Sequence, residues 1–488
     1  MDPDLGLSTA TDLAAELAAG RLSSRELLDH YLGRVERLNP AINAVVTLDV
    51  EAAQRAAAAA DEAFAAGGPT GPLHGLPITV KDAIATAGMR STGGATELAD
   101  NVPDEDAPVV AAVRAAGAVV FGKTNLPRWS GDAQSFNTMF GTTNNPWDLA
   151  RGPGGSSGGA SAAVSAGLTS FEIGTDIGGS VRLPSHFAGV CGHKPSFGVV
   201  PQLGYLDHTT GGVTEADVNV FGPLARSVAD LELLFGILAG PTADRAVGWK
   251  LDLPGPRHEQ LGGFRVAAWL DDETCPVASD VRALLEATVD GLVAAGANVD
   301  RAARPGVALR EVWDTGVPLI SAATTPARTD EEWARMTELA TSPDVDPTMA
   351  MRARASVMSH RDWLLLDEHR QRLRRRWAQF FTSFDVLLCP VAAMPAFPHT
   401  QEGSLYSRRL VIDGVERPYA DVLAWTSFIG FVHLPATVVP VGLTPEGLPV
   451  GIQIVAPFLE DRTALRFARF VEDLTGGYRP PPLARLAR

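Results

Sequence analysis

Apolar positions follow two different spacings along the chain. Leu27, Leu28, Tyr31, Leu32, Val35 and Leu38 recur at three and four residues, the stripe of an amphipathic helix. Ser23-Ser24-Arg25-Glu26 just ahead reads as a capping box, in which Ser23 caps the backbone and Glu26 reaches back. Pro40 is expected to end that helix. A second, alanine-rich helix is predicted over about 50–66, stopping at Gly67-Gly68. The texture then changes. Short apolar runs at 77–80, 118–121 and 171–173 alternate with helical patterns at 108–116 and 161–166. That alternation predicts an α/β fold with strands buried on both faces.

From about residue 240 the pattern shifts again. Residues 264–270 read as a strand, 279–295 as a helix and 297–299 as the start of another strand. A long polar, helical stretch follows over 308–384. Its basic run, Arg372, Arg374, Arg375 and Arg376, sits among Trp363, Leu366, Leu373, Trp377 and Phe380 at helical spacing, which reads as a solvated helix face. Strand-like runs return after Asp385 and end near 451–455. Residues 422–445 carry no charge, but Pro435, Pro440 and His433 within them argue against a membrane-spanning helix. Buried strands joined by a turn are the prediction there. No repeat and no clean linker is visible. The expectation is one domain over 1–488: N-terminal helices (1–70), a core (71–240), a variable middle region (241–384) and a return to the core sheet (385–488).

Composition narrows the partners. A chain of 488 residues that is 45% hydrophobic and 20% charged can bury a large core and is not disordered. Its net charge of −16 repels phosphate, which argues against nucleic acid and anionic membrane as partners. Cys191, Cys275 and Cys389 are widely spaced and lack zinc-ligand spacing. A disulfide framework is not expected, so a reducing cytoplasm is the default. The acidic start, Met1-Asp2-Pro3-Asp4, does not resemble a secretory signal.

Three motifs compete for the chemistry. Gly117-Ala118-Val119-Val120-Phe121-Gly122-Lys123-Thr124 matches the phosphate-loop pattern letter for letter. Its intervening residues form a strand sequence, and Pro127 follows where a helix should continue, so a strand end is the reading. Gly154-Gly155-Ser156-Ser157-Gly158 fits the nucleophile elbow of a Ser-His-Asp esterase using Ser156. That reading needs a downstream histidine, and His360, His369, His399 and His433 stand in no distinctive context. The third is a dispersed set. Lys81 ends an apolar strand, Ser156 lies in a Gly/Ser-rich run, and Ser180 follows Gly178-Gly179. A glycine pair lets successive N–H groups turn to one point, as an oxyanion hole requires.

That set resembles the amidase signature family of serine hydrolases. The resemblance rests on Gly71-Pro72-Leu73-His74-Gly75-Leu76-Pro77-Ile78-Thr79-Val80-Lys81-Asp82, Pro153-Gly154-Gly155-Ser156-Ser157-Gly158-Gly159 and Gly174-Thr175-Asp176-Ile177-Gly178-Gly179-Ser180-Val181-Arg182. Gly189-Val190-Cys191-Gly192-His193-Lys194-Pro195 and Gly447-Leu448-Pro449-Val450-Gly451-Ile452-Gln453 extend it, so that it spans about residues 8–475. It implies a single large α/β domain whose central twisted mixed β-sheet carries helices on both faces. It implies hydrolysis of a small-molecule amide, anilide or carbamate with no metal or organic cofactor, and it is compatible with a homodimer. Ser180 would be the nucleophile, Ser156, after a cis peptide, the proton relay, and Lys81 the base. The backbone N–H groups of Ile177, Gly178, Gly179 and Ser180 would hold the oxyanion.

Lys81 must be neutral to act as a base, which requires its pKa to fall by about three units, roughly 4 kcal/mol. Burial can supply that, provided the Asp82 side chain points elsewhere. Asp176 and Arg182 are expected to pair and brace the loop, and Ser157 to orient Lys81 or Ser156. Trp129, Ser130 and Gly131 correspond to a wall of the acyl pocket, whose small residues suit an aromatic or medium-chain group. His193, Phe431 and His433 depart from the family pattern, and Phe431 and His433 are expected to shape a distinct pocket unless they are core residues. Alternatives are the glutaminase subunit of a tRNA-dependent amidotransferase, the esterase built on Ser156, a nucleotide-binding enzyme and a binding protein without activity.

Overall fold

The computed structural model describes residues 5–345, 347–405 and 407–485. The N-terminal capping box forms as written in the sequence. Ser23 Oγ accepts from the Glu26 N–H at 3.2 Å, and Glu26 Oε2 accepts from the Ser23 N–H at 3.0 Å. The helix Ser24–Ile42 buries Leu27, Leu28, Tyr31, Val35 and Leu38. Pro40 does not end it. The proline lacks one N–H, but the last turn is closed by Asn43 N–H donating to Asn39 O, with Asn43 in the left-handed region at φ 54°. The alanine-rich helix runs Val50–Gly67, opened by Asp49 capping Ala52 N–H.

Eleven strands organise the core. They are β1 (Val45–Leu48), β2 (Pro77–Lys81), β3 (Val119–Thr124), β4 (Glu172–Asp176), β5 (Cys191–Lys194), β6 (Val220–Ala225), β7 (Arg265–Ala268), β8 (Asn298–Asp300), β9 (Val386–Pro390), β10 (Ala436–Leu443) and β11 (Pro449–Val455). β8 to β4 build one sheet in the order β8-β7-β9-β11-β10-β5-β6-β4. The β8-β7 and β7-β9 pairings are parallel and the others antiparallel, so the sheet is mixed. Helices cover both faces, and the fold is a single α/β domain. β1, β3 and β2 form a separate three-stranded sheet. It meets the large sheet where β2 packs on β4. That junction positions Lys81, the last residue of β2, against the Glu172–Asp176 strand.

Two expectations change. The uncharged segment 422–445 is not all strand. Ala424–Gly430 is a short, wholly buried helix, and only β10 is extended. A run that is apolar all round has no period that separates a buried helix from a buried strand. The phosphate-loop match lies in β3, buried throughout, with Lys123 Nζ donating to Ile84 O at 2.5 Å and Thr86 Oγ1 at 2.7 Å. The strand reading therefore holds. The basic run lies on helix His360–Phe380, with Leu373, Trp377 and Phe380 turned inward and Arg372 and Arg375 exposed. No helix among the described residues is long and apolar enough to cross a membrane.

Arg226 ties the N-terminal segment to the core. Buried, it donates to Ser8 O at 2.9 Å, Val164 O at 3.1 Å and Thr169 O at 2.8 Å. Arg226→Met removes the buried guanidinium's bonds to Ser8 O, Val164 O and Thr169 O and should destabilise the protein by about 3 kcal/mol. Chemical denaturation that shows no loss would refute this account of the segment.

Candidate active site

Lys81 is carried to the junction by an apolar strand that is buried at every position. Its side chain is 0% exposed, and Nζ donates to Ser156 Oγ at 2.6 Å and Thr175 Oγ1 at 2.7 Å. Burial pulls its pKa down to about 7, against the attraction of Asp176 and Glu172. With the amine neutral, the same short contact can run the other way, with the hydroxyl donating to nitrogen. Asp82 does turn away. Its carboxylate accepts from the Thr92 N–H at 3.1 Å and from the Thr92 hydroxyl. Burial raises its pKa to about 6 despite nearby Lys123.

Ser156 sits in a turn that is closed on all sides. The Gly155–Ser156 peptide is cis. A Cβ on Gly155 would lie 2.6 Å from Asp132 O and Gln134 N, so only glycine fits there. Ser135, not singled out in the sequence, holds the turn from below. Its hydroxyl donates toward Ser156 O (3.1 Å) and Gly154 O (3.2 Å) and accepts from the Gly158 N–H (2.9 Å). Among the described residues the Ser157 hydroxyl makes no hydrogen bond to Lys81 or Ser156. Its Oγ donates to Thr175 O and accepts from Thr175 N–H, each at 3.3 Å. It fixes the backbone of Thr175, whose hydroxyl in turn holds Lys81. Thr175 is thus a contact of the amine that motif spacing did not reveal.

Ser180 lies in the loop between β4 and helix Arg182–Ala188, and its carbonyl accepts from the Ser157 N–H at 3.3 Å. Asp176 and Arg182 form the expected pair, both fully buried. Arg182 Nη2 is 2.8 Å from Oδ1 and Nε 3.0 Å from Oδ2. Burial pushes the Asp176 carboxyl up, but Arg182, Lys194 and the Val181 N–H together outweigh it and the net shift is downward. The remaining Arg182 donor reaches Thr426 O at 2.6 Å and Gln453 Oε1 at 2.8 Å.

One expected oxyanion donor is already occupied. The Gly179 N–H donates to Asp176 Oδ1 at 2.9 Å. The carbonyl of the same peptide, Gly178 O, accepts from Thr426 Oγ1 at 2.7 Å and Ser427 Oγ at 3.1 Å. Among the described residues no acceptor takes the N–H of Ile177, Gly178 or Ser180. Of the four expected donors, three are left without an acceptor among the described residues. Thr426 and Ser427 were missed because their segment read as strand.

Ser180 opens on a cavity of about 420 Å³, shared with Ile177, Gly178, Trp129, Ser130 and Gly131. Tyr205, Ile320 and Leu423 add apolar wall. Trp129 and Ser130 both adopt the left-handed region, at φ 52° and 55°, and Trp129 Nε1 is buried with no hydrogen-bond partner among the described residues. Ser156 Oγ and Ser180 Oγ are not hydrogen-bonded to each other among the described residues. No histidine among the described residues lines the cavity. His193 is held in the core by Thr437 Oγ1 at 2.9 Å and Asp461 Oδ1 at 3.2 Å. His433 stacks on Phe197 with ring centres 4.2 Å apart, and Phe431 packs over Gly316. Neither Phe431 nor His433 reaches the cavity, so the pocket expected from them does not form beside Ser180.

The class these features belong to is that of enzymes hydrolysing carbon–nitrogen bonds of amides. Within it, the chain belongs to the amidase family, whose model, described as Amidase, matches residues 26–465. The chain is 32% identical to indoleacetamide hydrolase of Bradyrhizobium diazoefficiens over 468 residues, covering 96% of this chain and 86% of that one. It is 33% identical to a glutamyl-tRNA(Gln) amidotransferase subunit of Aromatoleum aromaticum, covering 98% and 99%. Among solved structures, 6-aminohexanoate cyclic dimer hydrolase complexed with substrate superposes with a TM-score of 0.80 at 26% identity, covering 99% of this chain and 100% of that one.

Gly179 has φ +132°, and a Cβ there would sit 2.2 Å from Thr426 Oγ1. Gly179→Ala should displace the loop that carries Ser180 and lower kcat/KM on any amide substrate by about 10²-fold or more, the scale of a lost oxyanion donor. An unchanged kcat/KM in the folded variant would show that this loop does not take part in turnover.

Proposed function

We propose that this amidase works through an acyl-enzyme on Ser180, with Ser156 as the proton relay and Lys81 as the base. Ser180 Oγ attacks the amide carbonyl, and its proton passes to Ser156, whose own proton goes to Lys81 Nζ. The N–H groups of Ile177, Gly178 and Ser180 hold the oxyanion. The ammonium of Lys81 then returns a proton through Ser156 to the leaving nitrogen, which departs as a neutral amine. Water repeats the sequence on the ester and regenerates Ser180. The observation that carries the reading is a fully buried amine lying 2.6 Å from the Ser156 hydroxyl, whose neighbour Ser157 is bonded through its N–H to Ser180 O; burial lowers the pKa of that amine to about 7. The open step is the Ser156–Ser180 contact, and such contacts commonly tighten only when substrate is bound. Ser157, Asp176 and Arg182 support the site without touching substrate.

The apolar wall of Trp129, Tyr205, Ile177 and Ile320 supports an aromatic or medium-chain acyl group. Three buried free thiols support a reducing, cytoplasmic setting. The likeness to a glutamyl-tRNA(Gln) amidotransferase component favours one second reading, a glutaminase that passes ammonia to a partner. Hydrolysis of free glutamine that requires an added amidotransferase partner, with no activity on simple amides, would select it.

Two measurements test the main reading. A panel of p-nitroanilides, primary amides and carbamates should yield hits that Ser180→Ala no longer hydrolyses, while Ser156→Ala loses about 10²–10⁴-fold. Equal hydrolysis by wild type and Ser180→Ala overturns the nucleophile. The rate should also rise with pH through an apparent pKa of about 7, because protonated Lys81 cannot accept the Ser156 proton. A rate that rises only near the pKa of free lysine excludes a desolvated base.

A further inference from the structure

The basic run on helix His360–Phe380 has no part in the proposed mechanism. Gln371, Arg374, Arg375 and Ala378 follow one another at three and four residues, so they share one face of that helix. That face lines a second cavity of about 730 Å³, which shares no lining residue with the cavity at Ser180 among the described residues. Its volume is that of a small-molecule site. The rest of the lining is largely apolar, with Val432, Leu434, Pro457 and Phe458. Phe458 is 36% exposed, a large ring left uncovered at the cavity. The turn that presents it contains Leu459 in the left-handed region at φ 67°, held by its N–H donating to Ser196 Oγ at 2.8 Å.

The charges in this cavity do not balance. Arg257, Arg372, Arg374 and Arg375 face Glu368 and Glu460, a surplus of two positive charges. Both carboxylates are already engaged. Glu460 is bound by Arg257 at 2.6 and 2.7 Å, and Glu368 lies 3.5 Å from Arg372 on the exposed rim. Arg374 and Arg375 have no carboxylate partner among the described residues. Arg374 is half-buried. Its Nη1 donates to Gln371 Oε1 at 2.9 Å, and its guanidinium lies over the Phe458 ring, 4.7 Å from the ring centre. Burial and the nearby Arg370 charge pull its pKa down against the attraction of Asp367. The helix dipole favours cations toward this end of the helix, which accounts for basic residues here. It does not account for two of them lining an apolar cavity without a counter-charge. The chain's net charge of −16 does not decide the matter, because at physiological salt fields are screened beyond about 8 Å.

We propose that this cavity is a second, non-catalytic binding site for a small aryl phosphate, whose phosphoryl oxygens accept from Arg374 and Arg375 while its ring lies against Val432, Leu434 and Phe458. A phosphomonoester carries up to about two negative charges and three acceptor oxygens, which matches the surplus of two positive charges. Guanidinium groups hold such oxygens through paired, charge-assisted bonds. A carboxylate brings one charge and leaves the second arginine uncompensated. Val432 and Leu434 are buried, so a small molecule reaches them and the flat face of a membrane does not. The site stands independently of the mechanism proposed at Ser180.

Titration calorimetry of the full chain with phenyl phosphate tests this, at constant ionic strength and about pH 8, where the phosphate is a dianion. One saturable site is expected. Joint replacement by Arg374→Gln and Arg375→Gln should weaken binding by about tenfold or more. Ala378→Trp should weaken it to a similar degree by filling the space while the arginines stay in place. An affinity unchanged in both variants shows that the probe sits elsewhere, the Ser180 cavity included, and overturns the proposal. So does the absence of saturable binding to the wild type at millimolar concentration. Inorganic phosphate or phenol binding as tightly as phenyl phosphate overturns the pairing of an anion site with an apolar wall. Benzoate binding more tightly overturns the assignment to a phosphate.

Discussion

Removing an ammonium from water costs several kcal/mol unless a charge or a dense set of acceptors replaces the solvent. Lys81 is given neither in full. Among the described residues its amine meets two hydroxyls, Ser156 and Thr175, and no carboxylate in contact. The protein contains two other buried lysines that sharpen the contrast. Lys194 donates to two carbonyls, Pro195 O and Leu434 O, each at 2.8 Å. Lys123 has a carbonyl, a hydroxyl and the field of Asp82, and its pKa falls only to about 8. Carbonyl oxygens can only accept, so those amines are anchors. Lys81 alone of the three has only hydroxyl partners, which can return a proton. The difference that matters chemically is the kind of oxygen each amine faces, since burial is common to all three.

The loop that carries Ser180 depends on a different principle. Its turn is held by a buried ion pair, and such pairs rarely add net stability, though removing one partner costs about 3–5 kcal/mol. Here the pair fixes geometry. Asp176 accepts from the N–H groups of Gly179 and Val181, and Arg182 extends to Thr426 O and Gln453 on distant parts of the chain. The Gly178–Gly179 peptide is held at both ends, at its carbonyl by Thr426 and Ser427 and at its N–H by Asp176. In the proposed mechanism, a peptide held at both ends lets the neighbouring N–H groups meet developing charge without reorganisation.

What the sequence disclosed follows from where its signals are local. Lys81 at the end of an apolar run, a glycine pair ahead of Ser180 and the Ser23–Glu26 cap are all encoded within a few residues, and each appears in the structure where its pattern placed it. Thr175 and Ser135 carry no such mark. They matter because β2 packs on β4 and because a turn closes over Ser135, contacts that spacing along the chain cannot express. Gly179 is the instructive miss. Its backbone freedom was legible, but the direction of its N–H depends on Asp176, fixed in turn by Arg182. The helix Ala424–Gly430 was hidden for a simpler reason: burial on every side erases the periodicity that names an element.

Chemistry and specificity are built from different materials in this fold. The groups proposed to react stand at the end of a strand, in a turn and in a loop, and the loop is tied through Arg182 to the last third of the chain. The cavity walls come instead from Trp129 and Ser130, from Ile320 on helix Leu309–Ala323, and from the segment around Leu405 and Arg408. Among the described residues these wall elements supply no hydrogen bond to Lys81, Ser156 or Asp176. Substitutions in them can therefore change the size and polarity of the space in front of Ser180 while the proton path behind it keeps its distances. Ile177 and Gly178 belong both to the wall and to the loop that carries Ser180, so the freedom to accept a change of substrate without a change of mechanism lies in the wall residues outside that loop.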